Sequence, residues 1–128
     1  MENHLKEFLL IAESKAIATF GNNSINVVPI STINIVGEEI VLVDYFMEKT
    51  VANILQNENV SLVAWKGLFG YQIKCKARHE KQGELFSDMV EFVKQTLPDR
   101  VVKGILILKI EEVFDIAPTK NTKQEFGL

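Results

Sequence analysis

Tyr71-Gln72-Ile73-Lys74-Cys75-Lys76-Ala77-Arg78 is the stretch whose pattern decides the fold of this chain. Tyr71, Ile73, Cys75 and Ala77 fall on one side of an extended backbone; Gln72, Lys74, Lys76 and Arg78 fall on the other. Strict alternation of this kind marks a β-strand with one face on a core and one face in water. Upstream, Gly67 and Gly70 separate it from a second strand-like run, Val60-Ser61-Leu62-Val63-Ala64-Trp65.

Working outward toward the N-terminus, residues 47–57 read as a helix, with Met47, Val51, Ile54 and Leu55 on one stripe. Residues 39–45 are apolar on both faces, which predicts a central strand covered on both sides. Gly37-Glu38 is a turn, and residues 25–35 form a long β-rich run. Gly21-Asn22-Asn23-Ser24 joins that run to a short strand at 16–20, predicting a hairpin. Pro29 cannot donate to a ladder, so it marks an edge, a bulge or backbone covered by something other than a strand. Residues 3–14 carry Leu5, Phe8, Leu9 and Ala12 on one helical face, with Asn3 as the expected N-cap. Toward the C-terminus, residues 83–96 predict a helix with Phe86, Met89, Val90 and Val93 inward, stopped by Leu97-Pro98. Two further strands are expected at 104–110 and 112–117, followed by a polar tail, 118–128. No repeat or linker divides the chain, so residues 1–128 are expected to form a single domain. The pattern is α+β, mostly antiparallel β with helices, and closure into a barrel is favoured because a barrel leaves no open edges.

Composition supports a globular domain that needs neither disulfide nor metal. Hydrophobic residues make up 47% of the 128 and charged residues 24%. A chain of this length buries roughly two thirds of its extended surface on folding. The single cysteine, Cys75, excludes an intrachain disulfide and fits a reducing, cytoplasmic setting. The first sixteen residues carry Glu2, Glu7 and Glu13 and lack a long apolar run, unlike a signal peptide, and no segment is long enough for a membrane span. A net charge of −3 argues against a dedicated nucleic-acid binder. Lys74, Lys76 and Arg78, with Lys81 nearby, therefore read first as a solvated strand face, with nucleic-acid contact or the edge of an anion pocket as the alternatives.

The search for chemistry begins with metal. Cys75 and His79 point the same way along one strand, but four residues span roughly 13 Å, too far to share an ion. Cys75 is more simply a small core residue. There is no nucleophile elbow and no Gly-rich phosphate loop of the Lys-Ser/Thr type. What remains is Asp44-Tyr45-Phe46-Met47-Glu48-Lys49-Thr50, where a buried strand ends and a helix begins. A helix start offers unpaired N–H groups and about half a positive charge; Lys49 adds a full charge and Thr50 a hydroxyl. A phosphate placed there would be held by all three. The same residues also suit an ordinary helix start with a surface lysine.

Asn26-Val27-Val28-Pro29-Ile30-Ser31, Leu42-Val43-Asp44-Tyr45-Phe46, Lys49-Thr50, Asn53-Ile54, Val63-Ala64-Trp65, Gly70-Tyr71-Gln72-Ile73-Lys74 and Gly83-Glu84-Leu85-Phe86 occur in an order that resembles the small flavin-nucleotide-binding proteins of the pyridoxamine 5′-phosphate oxidase-like superfamily. The resemblance runs from about Ala16 to Pro118. It implies an antiparallel split β-barrel, a homodimer, and FMN at the subunit interface. By position, Asn26, Val27, Val28 and Pro29 match the strand along the isoalloxazine ring, which would give Pro29 its reason. Val43, Asp44 and Tyr45 match the next flavin-facing strand, and Lys49 and Thr50 match the helix start that holds the phosphate. Trp65 and Gln72 match positions where the second subunit reaches the cofactor.

The chain also departs from that pattern. Asn26 and Ser31 stand where the true oxidases carry arginine and a substrate-binding lysine, and the oxidases' longer basic C-terminal portion has no counterpart here. Production of pyridoxal phosphate is therefore not expected. Cys75 stands where the smaller proteins are expected to have glycine. The leading expectation is an FMN-dependent oxidoreductase of open substrate, with the catalytic residues unassigned. The alternative is a non-catalytic module for a flavin, a deazaflavin or haem, the last needing an axial histidine from His4 or His79. A dimeric interaction domain with an empty site comes third, and a nucleic-acid binder fourth.

Overall fold

The computed structural model describes residues 1–118 and, beyond them, the backbone of residues 125–126. The elements run α1 (Asn3–Ile11), β1 (Ser14–Gly21), β2 (Ser24–Pro29), β3 (Ile33–Val36), β4 (Glu39–Asp44), α2 (Glu48–Gln56), β5 (Asn59–Lys66), β6 (Phe69–Glu80), α3 (Glu84–Thr96), β7 (Gly104–Asp115) and β8 (Glu125–Phe126). All strand pairs are antiparallel, in the order β2-β1-β5-β6-β7-β4-β3, with β8 against β7. The sheet curls into a split β-barrel whose first and last strands, β2 and β3, are separate edges.

Local chemistry explains the turns. Asn22 and Asn23 link β1 to β2 with φ of 51° and 58°, the left-handed region that asparagine tolerates and a two-residue hairpin requires. Gly37, at φ 61°, does the same between β3 and β4. On β6 the alternation holds as read: Tyr71, Ile73, Cys75 and Ala77 are buried, while Lys74 and Arg78 are exposed. The outward basic side chains are engaged. Arg78 pairs with Glu39 (2.9 Å) and Glu80 (3.0 Å), which raises its pKa further. Lys76 pairs with Glu58, and Lys74 lies over the Phe114 ring.

The core has two parts. Ile17, Ile40, Leu42, Leu62, Ile73, Leu106 and Leu108 are fully buried inside the curl, with Leu5 and Leu9 of α1 and Ile54 of α2 packed on them. Val41, Val43, Ile105 and Ile107 face the other way and are covered by Met89 and Val93 of α3. Alternate residues of β4 and β7 thus enter different cores, and that is why both strands read as continuous apolar runs. Fully burying one such side chain contributes about 1.5–3 kcal/mol. Burial also pushes the Cys75 thiol up to about 12, reinforced by Glu111. At the start of β1 the buried Lys15 ammonium is pushed down by desolvation and donates to Ala12 O.

Several boundaries differ from the sequence reading. The cap of α1 is Glu2, not Asn3: its carboxylate accepts from His4 N (2.8 Å) and Leu5 N (3.2 Å). The helix stops at Ile11, and Ser14 already belongs to β1. The 25–35 run is two strands, broken at residues 30–32, because the chain crosses from one edge of the sheet to the other there. Pro29 is the last paired residue of edge strand β2, where its missing N–H costs no ladder bond. The two expected C-terminal strands are one. Lys74 pairs with Glu112 but Cys75 with Ile110, so Glu111 is the extra residue of a bulge and bends β7. On α2 the buried face is Thr50, Asn53 and Ile54; Leu55 is 74% exposed. Within the expected tail, residues 125–126 pair with Val113 and Phe114, and residues 119–124 and 127–128 lie outside the described residues.

Candidate functional site

The end of β2, the end of β4 and the segment between α3 and β7 meet around a groove of about 920 Å³. Main-chain bonds hold them together: Val43 N donates to Thr32 O (3.3 Å), Lys103 N to Asp44 O (2.9 Å), and Ile30 N to Lys15 O (2.9 Å). The Thr32 and Tyr45 hydroxyls share a further bond of 2.8 Å. Val28, Pro29, Val43, Tyr45 and Met47 form apolar walls, with Phe46 and Val101, 86% and 75% exposed, at the rim. Two cations lie over the aromatic faces. The Arg100 guanidinium stands 5.0 Å from the centre of the Tyr45 ring, and its Nη1 donates to Ser31 Oγ at 2.9 Å. Lys103 Nζ is 4.7 Å from the centre of the Phe46 ring. Asp99 is the one carboxylate in the lining. A concave apolar slot edged by cations suits a flat ligand that carries negative charge.

Helix α2 starts beside this groove, since Met47 lines it. The first intrahelical bond runs from Val51 N to Met47 O, so the amides of Glu48, Lys49 and Thr50 precede the ladder. Lys49 is exposed in that first turn, outside the groove lining; Glu48 is also exposed.

The eleven residues singled out from the sequence separate into three groups. Val28, Pro29, Val43 and Tyr45 lie together in the groove walls, while Lys49 is outside the lining, two residues after Met47. Asn26, Asp44 and Thr50 turn their side chains into the protein. Asp44, 6% exposed, accepts from Met47 N at 2.8 Å through Oδ1, and its Oδ2 stands 3.5 Å from His79 Nε2. Thr50, 1% exposed, accepts from Asn26 Nδ2 at 3.0 Å. Val27, Trp65 and Gln72 lie outside the groove lining, on the outward face of β2, β5 and β6. There Val27 and Gln72 line a shallow hollow of about 260 Å³ with Ala16, Ala18, Ser61, Val63 and Ile116. Gln72 Nε2 donates to Ser61 Oγ at 2.9 Å.

Sequence reasoning missed Arg100, Lys103 and Phe46. Phe46 was quoted only as a neighbour. Arg100 follows the helix stop Leu97-Pro98, and a lone arginine in such a loop was the only signal available. Its approach to Ser31 spans 69 positions of chain, and no local pattern encodes that.

Comparison with known proteins bears on this geometry. Residues 1–117 match the family described as pyridoxamine 5′-phosphate oxidase. The chain belongs to that family. As a member of the pyridoxamine 5′-phosphate oxidase family it is 32% identical over 105 residues to an uncharacterised protein of Methanocaldococcus jannaschii, covering 78% of this chain and 70% of that one. Among solved structures, HupZ of Group A Streptococcus superposes with a TM-score of 0.85 at 15% identity, covering 99% of both chains. An FMN-binding protein from Syntrophomonas wolfei gives 0.77 at 18% identity, over 91% of this chain and 88% of that one. The haem storage protein HutZ from Vibrio cholerae gives 0.69 at 16%, over 88% and 92%. At these identities the likeness to solved structures is one of fold, and this fold carries more than one kind of flat ligand.

Proposed function

We propose that this member of the pyridoxamine 5′-phosphate oxidase family binds FMN and works as a flavin-dependent oxidoreductase in the cytoplasm. The observation that carries the reading is the groove itself. Apolar walls from β2 and β4 lead toward the open start of α2, where Met47 lines the slot and the exposed Lys49 stands next to Glu48 just beyond it, so that a ring would lie in the slot with its phosphate at the helix start. Val28, Pro29, Val43 and Tyr45 would flank the ring. The unpaired amides of the first turn of α2 and the Lys49 ammonium would hold the phosphate. Arg100 and Lys103 would add positive charge over Tyr45 and Phe46. FMN would supply the electron chemistry; the protein's part is to bind the ring, orient it and limit its contact with water.

The homodimer belongs to the same proposal. Trp65 and Gln72 lie outside the groove lining of their own subunit, on the outward sheet face, and would meet a partner's ligand across a subunit contact. Phe20, Ile25 and Val27, 47%, 74% and 62% exposed, give that face the apolar surface such a contact needs. Neither histidine lines the groove. His4 sits on α1, edge-on to Tyr71 at 6.1 Å, and the His79 side chain is buried behind Asp44. That favours a flavin over haem.

The test is a visible spectrum of purified protein before and after FMN addition and desalting, followed by titration with FMN and riboflavin. Retained flavin absorption supports the reading. A protein that takes up hemin but not FMN overturns it. Lys49→Ala should weaken FMN by about 10- to 100-fold, the loss of one charge-assisted hydrogen bond of about 1.5–3 kcal/mol, and leave riboflavin unchanged.

A further inference from the structure

Helix α2 is tied to the β1–β2 hairpin by amide and hydroxyl side chains rather than by apolar packing alone. Thr50, Asn53 and Gln56 follow one another at three-residue intervals on one face of the helix. Asn26 Nδ2 donates to Thr50 Oγ1 at 3.0 Å. Asn53 Nδ2 donates to Thr19 Oγ1 at 3.2 Å and reaches Ser24 O at 3.5 Å, while Asn53 Oδ1 accepts from Asn22 Nδ2 at 3.3 Å. Gln56 closes the run by accepting from Asn22 N at 2.6 Å and donating to Asn22 Oδ1 at 2.7 Å. Gly21 lets the two backbones meet, since a Cβ there would stand 2.7 Å from Asn53 Cα.

Thr19, Thr50 and Asn53 at the centre of this network are buried, whereas Asn22 and Gln56 are exposed; buried polar groups are costly unless paired, and once paired they specify one geometry where apolar side chains would tolerate several. This network joins the two parts of the groove that differ most in chemistry. β2 carries Val28 and Pro29 on the wall; α2 carries the open amides and Lys49 at its start. Asn22, Asn53 and Gln56 do not line the groove. Thr50, although it stands in the first turn, has its side chain buried against Asn26.

We infer that the Thr50–Asn53–Gln56 face of α2, bonded to Asn22, Asn26 and Thr19 of the hairpin, positions the phosphate-binding helix start relative to the ring-bearing strand. These are positioning residues that act without touching the ligand. The inference rests on the FMN reading above.

The test compares FMN with riboflavin, because a general loss of folding weakens both ligands whereas a displaced helix start weakens only the phosphate-bearing one. Dissociation constants come from flavin fluorescence titration of Asn53→Ala, Gly21→Ala, Gln56→Ala and Thr50→Ser, with thermal unfolding of each. Gly21→Ala removes no hydrogen-bonding group and only pushes the helix away. Gln56→Ala is an exposed change that leaves the core intact. The FMN-to-riboflavin preference should fall about fivefold or more in Asn53→Ala and Gly21→Ala and about threefold in Gln56→Ala. It should stay within about twofold of wild type in Thr50→Ser, which keeps the hydroxyl. Should the preference hold in all the folded variants while Lys49→Ala destroys it, the positioning role is overturned and the phosphate site stands. Should Lys49→Ala also leave the preference intact, the FMN phosphate reading itself fails, and this inference with it.

Discussion

Replacing Asp44 should cost stability rather than ligand affinity. The resemblance placed Asp44 against the flavin, but its side chain is 9% exposed and turned into the protein. Oδ1 accepts from Met47 N at 2.8 Å, fixing the turn between β4 and α2. In Asp44→Ala the buried Met47 N–H is left without a partner. A hydrogen bond to a charged group contributes about 1.5–3 kcal/mol, and an orphaned buried donor costs about 1–3 kcal/mol. These overlap as one loss, so about 2–3 kcal/mol is expected. The main-chain bond from Lys103 N to Asp44 O survives the substitution. Asp44→Asn keeps a neutral acceptor and should lose only about 1 kcal/mol, since charge-assisted bonds are roughly twice as strong. The assay is urea unfolding of ligand-free protein, supported by thermal melts in which 1 kcal/mol corresponds to about 3–5 °C at this size. If Asp44→Ala is within about 0.5 kcal/mol of wild type but has lost FMN binding, the carboxylate faces the ligand and the reasoning is wrong.

Two further outcomes follow from buried groups. The Cys75 thiol is raised to about 12 from an ordinary 9.0. The unfolded chain therefore ionises first: the thiol's contribution is whole below pH 9 and is lost as pH climbs toward 12. Wild-type stability should fall by about 1.4 kcal/mol per pH unit more steeply than that of Cys75→Ala in this window. Denaturant melts at pH 8.5, 9.5 and 10.5 read the difference, and parallel slopes would contradict the burial argument. Gly104 sits in β7 where a Cβ would stand 2.3 Å from His79 Nε2 and 3.2 Å from Glu80 O. Gly104→Ala should cost about 1–3 kcal/mol by overpacking. His79→Ala in the same chain should recover part of that loss, giving a coupling of about 0.5–3 kcal/mol in a double-mutant cycle; strictly additive losses would mean that the two positions do not meet.

Much of the fold was legible because its signals are local. Period-two alternation in 71–78, Asn22-Asn23 between two strand runs, and an apolar run too complete for a one-sided strand at 39–45 all depend on residues within one element. The ordered resemblance added the family and the split barrel. Of the candidate site, only backbone position was legible: the matched strands bring Val28, Pro29, Val43 and Tyr45 into one groove. Side-chain direction was not. Asn26, Asp44 and Thr50 were expected to face the ligand, yet each turns inward: Asn26 and Thr50 to each other across 24 positions, Asp44 to Met47 N in the turn that follows it.

The sequence by itself determined the alternating strand at 71–78, the Asn22-Asn23 and Gly37 turns, the helix that ends at Leu97-Pro98 and the buried character of β4, because propensity and burial periodicity are properties of short windows. Tertiary structure alone decided which strands adjoin, that residues 25–35 break to serve both edges of the sheet, and that the polar face of α2 goes inward while Leu55 stays in water. It alone brought Arg100 and Lys103 over Tyr45 and Phe46. The physical reason is the same in each case: a hydrogen bond or a ring contact between residues tens of positions apart is worth having only after the chain has closed, and nothing in the neighbouring sequence has to announce it.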